Sequence, residues 1–150
     1  MGFFGVVRQG RKDDLELGKG LWRRAHDRFH RGLDRYHQVL EGVDDDQLYN
    51  ELVEIANELA ELSPRVRTIC VEAQKRAPSD GLDVPGSLAG VHRALSKAGN
   101  SLATTAEAAA MLRLAVGPVP VGALSVRRRA ESVFEQVADA ERQLRAPEVQ

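Results

Sequence analysis

The phrases DRFH at residues 27–30 and DRYH at 34–37 place a carboxylate three positions before a histidine twice, seven residues apart. Helical metal proteins use such a spacing, because one turn brings both side chains within reach of one cation. Carboxylate-bridged dinuclear bundles, however, draw a Glu-x-x-His pair from each of two facing helices. This chain contains no Glu-x-x-His, and both Asp-x-x-His pairs fall on one predicted helix. At 1.5 Å per residue they stand about 10 Å apart along its axis, too far to share one centre.

Taking Trp22, Phe29 and Tyr36 as heptad position a, and Ala25, Gly32 and Val39 as d, places His26 at e, on the edge of the core. His30 and His37 then fall at b, and Asp27 and Asp34 at f, facing away from the core. His26 and His30, one turn apart, are the remaining candidate metal ligands for zinc, nickel or copper. Two ligands do not define a site, so a third must come from His92 or from carboxylates of the next helix. Without one, the histidines simply flank the core while the aspartates pair with Arg23 and Arg31.

On the other flank, Arg24 and Arg31 at c and Arg28 and Arg35 at g form a basic ridge, and Arg127, Arg128 and Arg129 form a second cluster. Such a ridge can engage phosphate, nucleic acid or an anionic membrane, or simply form a solvated face with intramolecular salt bridges. Nucleic acid is disfavoured by the net charge of -1, the neighbouring acids Asp27, Asp34, Glu131 and Glu135, and the scarcity of aromatics for base stacking. Phe3 and Phe4 belong to an apolar opening, MGFFGVV, followed by Arg8, Arg11 and Lys12. This run is too short for a membrane span or signal peptide, but it suits docking on its own bundle, a partner groove or a membrane surface. Phosphate loops, dinucleotide fingerprints, nucleophile elbows and zinc-protease motifs are all missing from the sequence, so no cofactor is expected and the reading leans away from an enzyme.

The elements that position these residues are read from apolar spacings of three and four, which mean helices. The first runs from Leu15 through Trp22, Phe29 and Tyr36 to Val43, with Leu33 and Leu40 widening its stripe. The second carries Leu48, Leu52, Ile55, Leu59, Leu62, Val66, Ile69 and Ala73, entered through Gly42 and an Asp44 cap. Pro64 interrupts it, and because the apolar phase survives, one helix kinked near Pro64 is expected. Residues 77–87 read as a connection ending in a Ser87 cap. A third helix follows from Leu88 to Val116, GPVPVG at 117–122 breaks it, and a fourth covers Leu124 to Ala146.

The expected fold is therefore all-α, an antiparallel up-down four-helix bundle of long helices. Its divisions are a flexible or docking arm at 1–14, a single bundle domain at 15–146 and a tail at 147–150. At 150 residues the chain is long enough to bury a core unaided. The lone Cys70 suits a reducing, cytoplasmic setting, and 17 Arg against 4 Lys suits a GC-rich bacterial genome. Residues 1–40 hold 9 basic and 5 acidic side chains, whereas 41–62 hold 8 acidic and none basic. The first two helices should thus attract each other, with Glu51, Glu54, Glu58 and Glu61 opposing the arginine ridge. The function expected is protein–protein interaction as an adaptor, regulator or structural component, plausibly as a homodimer. The alternatives are a metal-binding bundle using His26 and His30, and a binder of anionic surfaces through the ridge.

Overall fold

The computed structural model describes residues 3–81, 83, 85–115 and 122–146. Among them all regular structure is helical: α1 (Phe3–Leu17), α2 (Leu21–Glu41), α3 (Asp46–Arg76), α4 (Ala89–Leu114) and α5 (Leu124–Arg145), with a 3-10 turn at Gly86–Leu88. The predicted first helix is two helices, and α1 occupies most of the segment expected as an arm.

The break lies at residues 18–20, inside a stripe that is periodic on both sides. Gly18 adopts φ +72, a left-handed conformation that suits glycine and ends a helix. Gly20 comes so close to the α3–α4 connection that a Cβ there would lie 2.2 Å from the Ser79 carbonyl oxygen. The junction is held by side chains: the Leu21 amide donates to Ser79 Oγ at 3.1 Å, and the Ser79 amide donates to Gln74 Oε1 at 3.1 Å. The break also changes the face of α1. Leu15, expected in the core, is 86% exposed, and Leu17 is buried in its place.

The other stripes are buried much as their spacing predicts, from Trp22, Phe29, Leu33 and Tyr36 on α2 to Val126, Val133 and Val137 on α5. Two polar side chains inside this core bond to backbone carbonyls. The Tyr36 hydroxyl donates to the Leu52 carbonyl at 2.9 Å, and Thr105 Oγ1 donates to the Ser101 carbonyl at 2.6 Å. Burial raises the Tyr36 hydroxyl pKa and pushes the Cys70 thiol up to about 12, so Cys70 is an inert core side chain. Pro64 lies inside α3, which continues for 31 residues, with Leu62 and Val66 buried on either side. Thr68 Oγ1 donates to the Pro64 carbonyl at 3.0 Å. The cap of α3 is Asp45 rather than Asp44, its carboxylate accepting the Leu48 amide at 2.7 Å. Ser87 lies within the 3-10 turn, and α4 starts without a side-chain cap.

The long helices touch in the cyclic order α2, α3, α5, α4, and α1 lies against α2 and α3. Cross-links give the directions. Trp22 meets His92, Arg28 reaches Asn100, and Gly32 abuts Leu102, so α2 and α4 run parallel. Arg127 pairs with Glu58, Arg65 with Glu141 at 2.5 Å, and Arg76 donates to the Leu144 carbonyl at 2.6 Å, so α3 and α5 also run parallel. The chain thus folds as two helical hairpins laid side by side. α3 and α4, expected as antiparallel neighbours, are not among the closely packed pairs. Residues 77–88 are long enough to carry the chain across the bundle between them.

Candidate interaction surfaces

The histidine pair that is the candidate metal ligand set has stacked rings. The His26 and His30 rings lie nearly parallel at 10°, centroids 6.0 Å apart, and His26 Nδ1 is 2.9 Å from Asp27 Oδ1. His37 Nδ1 instead lies 2.8 Å from the Leu33 carbonyl, and His92 packs edge-on against Trp22. Among the described residues no group of three or more His, Cys, Asp and Glu side chains converges. Asp27 is bonded to Arg23 at 3.1 Å, as the i, i+4 spacing anticipates.

Arg24, Arg31 and Arg35 are exposed on α2, while Arg28 contacts Asn100 of α4. Among the described residues the ridge forms no ion pair. Two of the glutamates expected to oppose it turn toward α5 instead: Glu58 pairs with Arg127, and Glu51 Oε2 accepts the Ala123 amide at 3.4 Å, beside the positive end of α5. Charge segregation between α2 and α3 therefore does not become pairing, because the glutamates that do pair lie on the flank of α3 that packs on α5.

The sequence reading missed the network that fastens α1. Arg67 of α3 binds Asp13 at 2.9 Å and Glu16 at 2.7 Å, and Arg23 of α2 binds Asp14 at 2.9 Å. Burial alone would raise the Asp13 pKa, but the Gln9 hydrogen bond, Arg67 and Arg23 outweigh it and hold the carboxyl below its ordinary 3.8. The Arg67 hydrogen bond holds Glu16 below its ordinary 4.5. Both groups are depressed, so the stability they lend is complete above those ordinary values and is lost as pH falls through the folded ones. Amide exchange in α1 should accelerate relative to α2 on acidification through that range. Arg67→Gln should reduce the difference, and an α1 whose protection ignores pH would contradict the assignment. The run DDLE was the available signal, but nothing local shows which arginines it meets.

A second feature lies at the end of the bundle where the α2–α3 turn meets the start of α5. A concavity of about 460 Å³ is lined by Val43, Asp44, Leu48, Glu51, Leu112 and Arg113, among others. Around that end Met111, Leu114 and Leu124 are 73%, 71% and 45% exposed. The apolar run GPVPVGAL signals this end in the sequence, but its residues 117–121 lie outside the described ones, as do the side chains of Phe3 and Phe4. No family model, no curated protein and no solved structure matches the chain.

Proposed function

We propose that this protein is a non-enzymatic interaction module, a four-helix bundle carrying α1 as an added helix, which seats an apolar, positively charged segment of a partner protein at the α2–α3 end. The observation that carries the reading is the concavity there, where Val43, Leu48 and Leu112 lie among Asp44, Asp45, Glu51 and a single cation, Arg113, close in sequence to exposed Met111, Leu114 and Leu124. Surface leucines and methionines are ordinary singly, but several at one end beside a concavity favour a docking site. The acids select cationic partners and set the rate of encounter. A cytoplasmic setting accords with the single buried cysteine, and a homodimer is one form the association can take.

The test is fluorescence anisotropy with a labelled amphipathic peptide of leucine and lysine, against a leucine–glutamate counterpart. The full chain should bind only the cationic peptide. Asp44→Lys and Leu114→Lys, both at exposed positions, should each weaken binding roughly tenfold, about 1.4 kcal/mol. Equal binding of the acidic peptide, or no binding together with a strict monomer by light scattering, would overturn the reading.

A further inference from the structure

We propose that the first part of α1, residues 3–12, together with Leu15 on the outer face of the same helix, is a peripheral anchor that lies on an anionic phospholipid surface. This stretch contains Phe3, Phe4, Val6 and Val7 with Arg8, Arg11 and Lys12, and no acidic residue. The acids of α1 all follow it, at Asp13, Asp14 and Glu16, and all three are engaged by Arg23 and Arg67 of the bundle. Among the described residues, every hydrogen bond and ion pair that joins α1 to the rest of the chain involves one of those three. The helix is thus divided along its length: its last part is fastened by neutralised carboxylates, while its first part presents cations.

The division is repeated around the axis. Leu17 and Asp13 face the bundle and are buried. At about 100° per residue, Leu15 points to the opposite side and falls within about 40° of Arg8 and Arg11. Leu15 is 86% exposed there, and Arg8, Arg11 and Lys12 are exposed with it. This outer face, an exposed leucine set among cations, offers no groove for a peptide. It matches an interface in which Leu15 enters the acyl boundary while arginine and lysine stems reach the phosphates. Exposed Lys19, just beyond α1, adds to the basic footprint. No described helix is long and apolar enough to cross a membrane, so the association is with the surface.

This inference stands apart from the proposed docking site, since it uses different residues and a different ligand. Flotation of the full chain with phosphatidylcholine vesicles, with or without phosphatidylglycerol, tests it. Binding should require phosphatidylglycerol and weaken with salt. Joint replacement R8Q, R11Q and K12Q should reduce it roughly fivefold per cation removed. Leu15→Ser should reduce it severalfold while leaving the salt dependence intact, and Arg128→Gln on α5 should leave it unchanged. Equal binding to neutral vesicles, no binding to anionic ones, or full binding by the triple variant would overturn the proposal. So would a stretch that instead mediates salt-sensitive self-association or duplex DNA binding in the same assay buffer without vesicles.

Discussion

Replacing Trp22 with alanine is expected to destabilise the protein by about 3–5 kcal/mol, the largest effect of any single truncation considered. The indole is fully buried at the start of α2. Its Nε1–H donates to the Ala77 carbonyl at 2.9 Å, just after α3 ends, and its ring meets that of His92 on α4 at 6.1 Å and 74°. One side chain therefore joins three segments. Alanine would leave a cavity and an unbonded buried carbonyl, whereas Trp22→Phe should keep most of the packing and lose about 1–3 kcal/mol through the unsatisfied group. Guanidinium denaturation separates the two, and a loss below about 1 kcal/mol for the alanine variant would contradict the packing argument.

The same contact has a pH signature. Burial lowers the His92 pKa beneath its ordinary 6.5, so the fold prefers the neutral ring. The unfolded chain binds the proton first as pH falls, and stability should decline as pH drops below that ordinary value toward the folded one. Removing the indole admits water beside His92 and should flatten this dependence.

Gly20→Ala is the second large effect, expected at about 1–3 kcal/mol. The added Cβ would lie 2.2 Å from the Ser79 carbonyl oxygen and 2.4 Å from its carbon, and both are backbone atoms that no rotamer change can move. The strain falls on the junction that joins the start of α2 to the α3–α4 connection. Gly81→Ala, two residues beyond Ser79, is the control: nothing lies within 4 Å of its Cβ position, so stability should be unchanged or rise by up to about 1 kcal/mol through a less flexible unfolded chain. Equal denaturation midpoints for the two variants would show that the close approach at Gly20 is unimportant.

The sequence by itself determined that the chain is helical and which side of α2, α3, α4 and α5 turns inward. Trp22, Phe29 and Tyr36, or Leu52, Leu59 and Val66, repeat at a spacing only a helix can bury along one face. It also determined pairings whose partners are one turn apart, such as Arg23 with Asp27. The tertiary structure decided the rest. The apolar phase runs through residues 18–20 undisturbed, so the break appears only when Ser79 and Gln74 are in place around Gly18 and Gly20. Likewise Glu58 faces Arg127 and Arg67 gathers Asp13 and Glu16 because two hairpins lie side by side with α3 parallel to α5 and α1 folded against the first hairpin. Periodicity records each residue's angle about its own helix axis. It carries no information on which neighbouring helix occupies that angle, and the partners of α1 and the shape of the α2–α3 end depend on that neighbour.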